Sequence, residues 1–305
     1  MIRLPRAAVW LCCLLAVAAC SRPNTGGAPP SGGSAPVRVV ATTTVFADFV
    51  KSVGGDRVDV VSLVPKGGDV HTFDPRPTDI TAVADAQLVV ANGLGLDEWL
   101  TKLAADSGTK ARIINLADSV PKDQYIVEDG IPNPHLWLDP DDAALYATTI
   151  RDALKALDPA DGAVFDANTT AYQAKLAELK KWGQELVATV PPDQRQLIAF
   201  HDALPYFART YGFKIAGVIL KAPGQDPSAS DIAALVKAIR DNHIHVVVSE
   251  VQFSDKLAKT IADETGATIV SDLYDDSLGD APDDSYDALV RYDIQQLVNA
   301  MKGGG

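Results

Sequence analysis

The chain has 305 residues, 47% hydrophobic and 22% charged, which excludes disorder as its dominant state and suffices for two ordinary domains or one large bilobal one. Lysines and arginines number 27 against 40 aspartates and glutamates, a formal charge of −13. With no run of basic residues beyond the N-terminus, that balance argues against nucleic acid as a partner.

The chain opens as an export signal. Arg3 and Arg6 form a positive n-region ahead of an apolar stretch, Ala7 to Ala16, which Val17-Ala18-Ala19-Cys20 closes with small residues and a cysteine. The stretch is too short for a bilayer-spanning helix, and its small residues suit cleavage, so residues 1–19 read as a signal peptide. Cys20 at the boundary resembles the lipobox of bacterial lipoproteins, which implies a lipidated Cys20 at the mature N-terminus. An ordinary secretory signal with Cys20 at its boundary is the alternative. Residues 20–36, rich in Gly, Pro and Ser, read as a flexible tether. Cys12 and Cys13 leave with the signal, so the body has no internal disulfide and no thiolate to offer a metal. Losing Arg3 and Arg6 makes the body more acidic still, which suits a small cationic ligand.

From Val37 the sequence alternates strand-like and helical runs. Val37 to Thr44, Val58 to Val64 and Gln87 to Asn92 read as strands; Val45 to Val53, Ile80 to Ala84 and Leu96 to Leu103 read as helices. The pattern restarts with strands at Gln196 to Phe200, Lys214 to Val218, Ile244 to Ser249 and Thr268 to Val270. The helices between them are Ala203 to Tyr211, Ala233 to Arg240 and Lys256 to Glu264. Leu176, Leu179, Trp182, Leu186 and Val190 keep helical spacing through Asp158 to Val190, where Pro191-Pro192 ends the run. The expectation is an α/β protein: an N-terminal lobe over 37–157, a connecting helix over 158–190 and a C-terminal lobe over 191–305. Both sheets should be mostly parallel, with a ligand in the cleft at the carboxyl ends of the strands.

Three of the five histidines fall where such a cleft would lie. His201 directly follows the strand ending at Phe200. His71 sits in a loop after the Val58 strand, behind Gly67-Gly68 and ahead of Asp74-Pro75. His135 lies in Asn133-Pro134-His135-Leu136-Trp137-Leu138-Asp139-Pro140, stiffened by prolines that reduce the entropy lost on binding. Imidazole suits first-row transition metals, and a carboxylate from Ser271 to Asp280 would complete an N3O set without sulfur. Histidines 64 and 66 residues apart form no local motif, so surface or capping roles stay open on spacing alone.

Several blocks in order carry a resemblance. They are Val70-His71-Thr72-Phe73-Asp74-Pro75, Ala91-Asn92-Gly93-Leu94-Gly95-Leu96-Asp97-Glu98-Trp99-Leu100, the His135 block, Phe200-His201-Asp202-Ala203-Leu204-Pro205-Tyr206-Phe207, Ser249-Glu250-Val251-Gln252-Phe253-Ser254 and Leu273-Tyr274-Asp275-Asp276-Ser277-Leu278-Gly279. From Val37 to the C-terminus the chain resembles the zinc- and manganese-binding lipoprotein receptors of bacterial ABC importers, the ZnuA/TroA-like group. The resemblance implies metal ligands His71 and His135 from the first lobe and His201 and Asp276 from the second, with Asp275 and Asp272 as competitors for the carboxylate. Manganese-preferring members often carry Glu where this chain has His201, which favours Zn2+ over Mn2+. Many zinc-specific members carry a histidine-rich loop before the second histidine, and Ala117 to Pro134 has no histidine here.

Glu250, at the far end of its strand, would orient a ligand imidazole through its free nitrogen, or else serve as a cap or surface carboxylate. Trp137 reads as a wall of the site. Tyr206 and Phe207 read as packing between helix and sheet, and His243 and His245, at a strand entry, as structural. The implied protein is a lipid-anchored receptor facing the periplasm or cell exterior, a monomer and not an enzyme. It captures one divalent ion and delivers it to an ABC permease and its ATPase. A metallohydrolase would want an open coordination position and a general base, and no His-Glu-x-x-His occurs. A surface adhesin is the other alternative, without a sequence feature of its own.

Overall fold

Eight of the strands form two sheets built on one plan. In the computed structural model the described residues are 35–220 and 224–303. The signal peptide, Cys20 and the tether up to residue 34 lie outside them. In the first half β1 (Val37–Ala41), β2 (Val58–Ser62), β3 (Leu88–Ala91) and β4 (Arg112–Asn115) pair in the order β2-β1-β3-β4, all parallel. A two-residue ladder, β5 (Val127–Glu128) with β6 (Ile131–Pro132), follows as a small hairpin. In the second half β7 (Gln196–His201), β8 (Lys214–Leu220), β9 (Val246–Glu250) and β10 (Thr268–Leu273) repeat the plan as β8-β7-β9-β10, again all parallel. Helices cover parallel sheets on both faces, so β3 and β9 are buried along their whole length, as their near-continuous aliphatic sequences require. In each sheet the strand order reverses beside the first strand, and the crevice at that point opens over the carboxyl ends.

The helices are α1 (Thr44–Gly54), α2 (Pro77–Asp85), α3 (Trp99–Ser107), α4 (Pro140–Leu157), α5 (Gly162–Val187), α6 (Pro205–Tyr211), α7 (Ala229–Asp241), α8 (Lys256–Thr265) and α9 (Tyr286–Gly303). Their starts follow local chemistry. The Thr43 hydroxyl accepts the Phe46 N–H at 3.3 Å to cap α1. Asp139 caps α4 ahead of Pro140, and Ser228 with Asp231 forms a capping box on α7.

Where the elements depart from the sequence expectation, backbone chemistry explains the shift. The helix expected over Leu96 to Leu103 runs from Trp99 because Gly93, Leu94 and Gly95 all take positive φ (82°, 53° and 85°). That turn is gathered by Asp97, whose carboxylate accepts from the Asn92 and Gly93 N–H groups and the Thr42 hydroxyl. It is an internally satisfied turn. The helix expected over Asp158 to Val190 is α5, because Pro159–Asp161 form a separate 3-10 turn capped by Asp158 and the helix closes at Val187. Five elements escaped the sequence reading altogether: β4, β5, β6, α4 and α9.

The connecting helix α5 has 26 residues, about 39 Å at 1.5 Å per residue. Phe165, Thr169, Tyr172, Leu176, Leu179, Gly183 and Val187 are buried, a stripe at three- and four-residue spacing. It packs on α1 and α4 in the first half and on α6 and α9 in the second. Gly183 marks the tightest approach: a Cβ there would lie 2.5 Å from Ile294 Cδ1 and 2.5 Å from Tyr211 Cε1.

Gly183→Val is therefore expected to destabilise the protein by about 1–3 kcal/mol through overpacking, since valine's better helix propensity returns only about 0.4 kcal/mol. Urea unfolding measures this as a lower midpoint at unchanged slope, and an unchanged midpoint would refute the close contact.

Candidate metal centre

Three imidazoles and a carboxylate converge where the two sheets present their carboxyl ends. His201 is the last residue of β7, and Glu250 the last of β9, on either side of the order reversal in the second sheet. His71 comes from the β2–α2 loop. Its N–H donates to Asp69 Oδ1 at 2.9 Å, and the preceding carbonyl, Val70, accepts the Trp99 indole N–H at 2.8 Å. His135 follows the hairpin. Asn92, at the end of β3, donates to the Pro134 carbonyl at 2.9 Å and accepts the Tyr146 hydroxyl at 2.7 Å, which fixes that loop.

The carboxylate loop belongs to the second half by sequence and is held by the first. Trp137 Nε1 donates to the Asp275 carbonyl at 3.0 Å, and the Leu278 N–H to the Thr44 hydroxyl at 2.8 Å. Ser277 Oγ accepts the Gly67 N–H at 2.7 Å. Asp276 is thereby set among the three imidazoles.

The donor geometry suits one cation. His71 Nε2 and His135 Nε2 are 3.3 Å apart. Asp276 Oδ2 lies 3.6 Å from His71 Nε2 and 3.9 Å from His201 Nε2, and Asp276 Oδ1 lies 3.6 Å from His135 Nε2. Tetrahedral donors about 2.1 Å from a metal stand about 3.4 Å from one another. Both Asp276 oxygens and both His201 nitrogens are buried without a hydrogen bond among the described residues. Such groups are costly to bury unless something satisfies them, and a metal cation does so. On its solvent side the cluster opens into a recess of about 390 Å³ bordered by Leu94, Ile131 and Leu220.

Charge is divided unequally among the imidazoles. Burial, and then the charge of His201, pushes His71 down to about 4. Burial and the other two imidazoles hold His135 well below its usual range. Burial alone would lower His201 too, but the carboxyl groups of Asp275, Glu250 and Asp276 outweigh it and raise it to about 10. His201 Nδ1 faces Asp275 Oδ2 at 3.5 Å and Glu250 Oε1 at 3.6 Å. Asp275 is pushed up to about 6 by burial against the pull of His201, and Asp276 well above the carboxylate range by burial and then by Asp275.

The other residues singled out in the sequence separate clearly. Asp275 sits behind His201 and is engaged by Gln252 Nε2 at 2.6 Å, whereas Asp272 is exposed with φ +66°. Glu250 is 1% exposed, so it is no surface carboxylate, and it faces the imidazole nitrogen turned away from the cluster. His243 and His245 are exposed ahead of β9, at the opposite end of the strand from Glu250. Trp137 flanks His135 at 5.2 Å between ring centroids, and Phe253 flanks His201 at 5.1 Å. Residues 117–134 form two 3-10 turns and the β5–β6 hairpin. Sequence reasoning missed Asn92, Thr44 and Asn133, whose partners Pro134, Leu278 and Asp202 lie 42, 234 and 69 residues away.

The chain matches the family model described as "Zinc-uptake complex component A periplasmic" over residues 39–300. It is 27% identical to the manganese-binding lipoprotein MntA of Halalkalibacterium halodurans, covering 94% of this chain and 95% of that one. It is 31% identical to the iron-binding protein YfeA of Yersinia pestis, covering 88% and 87%. Among solved structures, the periplasmic zinc-binding protein TroA of Treponema pallidum has the same fold, with a TM-score of 0.81 at 24% identity over 87% of this chain and 99% of that one.

In the metal-free protein at pH 7, histidine 15N spectra are expected to show His71 and His135 neutral and His201 doubly protonated. On acidification His71 should take up its proton only near pH 4. A neutral His201 at pH 7 would contradict the electrostatic assignment.

Proposed function

The chain belongs to the family of periplasmic zinc-uptake component A, and from that membership we propose that it captures one zinc ion on His71, His135, His201 and Asp276. It is an extracytoplasmic substrate-binding protein of a metal ABC importer, not an enzyme. The observation that carries the proposed site is the mutual approach of these four residues, each offering a donor atom within 4.8 Å of the others. The zinc reading rests on donor chemistry: three imidazoles and one carboxylate suit zinc better than an oxygen-rich set would.

Manganese is the second reading, and one observation favours it. Both oxygens of Asp276 face the histidines, so the carboxylate can bind through two atoms and raise the donor number to five. Relatives named for manganese and for iron fit that breadth. In either case the ion is cargo, passed to a permease and its ATPase.

The proposal extends to the whole chain. Residues 1–19 direct export, Cys20 carries the lipid anchor, and residues 20–36 tether a monomeric body. The body's lobes, 37–157 and 191–305, are joined through 158–190. The relatives' names as lipoproteins support the anchor, and no described helix is long and apolar enough to cross a membrane.

Protein beginning after Cys20, stripped and then offered equal zinc and manganese, is expected to retain about one zinc per chain by mass spectrometry. A His71→Ala/His201→Ala variant should retain none. Manganese in the wild-type protein would change the cargo and keep the site, and metal retained by the variant would refute the site. Calorimetry at pH 7 in buffers of different ionisation enthalpy should report proton release on binding, because His201 is raised to about 10 and must yield Nε2 to the metal. Affinity should accordingly rise with pH. At a metal concentration about 100 times Kd, binding should stabilise the fold by about 2.7 kcal/mol.

A further inference from the structure

Every polar atom of Asn133 is committed, and the commitments fall on both halves of the molecule. Its side-chain oxygen accepts the His135 backbone N–H at 3.1 Å and lies 2.9 Å from His135 Nδ1. Its side-chain nitrogen donates to the carbonyl of Asp202 at 2.7 Å and to Asp202 Oδ2 at 3.0 Å. Its backbone carbonyl accepts the hydroxyl of Tyr206 at 3.0 Å, and that hydroxyl in turn accepts the Ile126 N–H at 3.0 Å. Its own N–H donates to the Ile126 carbonyl at 2.8 Å. The residue is 7% exposed.

These partners leave no freedom in the amide's orientation. A backbone N–H can only be met by the amide oxygen, and a backbone carbonyl only by the amide nitrogen. With the oxygen facing His135 Nδ1, that nitrogen must carry the imidazole proton, which leaves the Nε2 lone pair for the site. The same amide is anchored on Asp202, the residue that follows His201.

Building on the metal-receptor reading, we propose that Asn133 is a positioning residue that locks His135 in its metal-binding tautomer and ties that lock to the His201 strand. Metal affinity then depends on the relative placement of the two halves. Displacing β7 from the hairpin loop pulls Asp202 from the Asn133 amide, frees the amide to turn, and removes the partner that holds His135. A small shift between halves is converted into the loss of one ligand's orientation.

The test compares Asn133→Ala, Asn133→Asp, Asp202→Ala and His135→Ala by zinc affinity, by dissociation rate and by histidine 15N spectra of the metal-free protein. Asn133→Ala is expected to weaken zinc about 10–100-fold, mainly through faster dissociation, with the His135 proton no longer confined to Nδ1. Asn133→Asp keeps an acceptor for Nδ1 and should retain the tautomer while losing the donor to Asp202. Asp202→Ala should weaken zinc less, and the combination with Asn133→Ala should be less than additive. Wild-type affinity and an unchanged His135 spectrum in Asn133→Ala, beside a weak His135→Ala, would overturn the proposal alone, as would strict additivity. Wild-type affinity in His135→Ala would overturn the metal-centre reading and this proposal with it.

Discussion

Bringing donor atoms of three imidazoles and a carboxylate within 4.8 Å of one another inside a protein is unfavourable by itself, and the rest of this structure is arranged to enforce it. Desolvation weakens every charged form in the cluster, and the like groups repel when protonated. No two of the four residues are close in sequence, so nothing local holds them together. Each is fixed separately: His201 by its place at the end of β7, His71 by Asp69 and the Trp99–Val70 hydrogen bond, and His135 by Asn133 and by the Asn92 grip on Pro134. Asp276 is fixed by a loop pinned to the opposite half. Rigidity of this kind keeps donors at metal spacing when their mutual interactions would spread them.

The pinning also limits how the halves can move. Thr44, Gly67 and Trp137 of the first half hold the Asp275–Leu278 segment of the second, and the Tyr286 hydroxyl donates to the Trp137 carbonyl at 2.6 Å. Helices α5 and α9 both pack across the division. A wide hinge opening would break these bonds together and expose the aromatic cluster of Phe46, Phe49, Trp137 and Tyr286. Small displacements concentrated at the hairpin and the β7 end would break the Asn133–Asp202 and Tyr206–Asn133 hydrogen bonds and leave that aromatic cluster covered. If the four residues hold an ion as proposed, this arrangement favours local disengagement of single donors over wide separation of the two halves.

Much of this was legible in the sequence because it depends on short-range pattern. Valine-rich runs at 37–41, 88–91 and 246–248 favour buried strands, and a histidine placed right after a strand, as His201 follows Phe200, emerges at the sheet's carboxyl edge. The stretch forming β4 is weakly patterned and largely exposed, so periodicity could not reveal it. Helix α9 did carry a signal, with Leu289, Ile294, Leu297 and Met301 on one buried face. The choice among Asp272, Asp275 and Asp276 was closed to sequence reasoning for a definite reason. Strand β10 shifts register between Val270 and Leu273, with Asp272 in the left-handed region, and ends at Leu273, so alternation counted from Val270 cannot be carried through to Asp275 and Asp276. The partnerships of Asn133 with Asp202 and of Thr44 with Leu278 are products of the closed fold, and no local pattern announces them.

The carboxyl groups behind His201 bear on which ions can be held. Asp275 and Glu250 face Nδ1, while Nε2 points into the cluster. A cation bound at Nε2 therefore displaces one proton of this imidazole and leaves the other in place, held by carboxyl groups that make the ring a stronger donor. Protons on His201 and Asp276 compete with the metal for the same lone pairs. A monovalent ion would bring no more charge than the proton it replaces at His201, and would gain nothing electrostatically for its own desolvation. A dication brings twice that charge into a cavity with two neutral imidazoles and several carboxyl groups, and the low dielectric of the site amplifies the difference. At the proposed site, selection for divalent over monovalent ions would thus follow from proton competition in a buried cluster, and selection among divalent ions would rest on how many oxygens Asp276 presents.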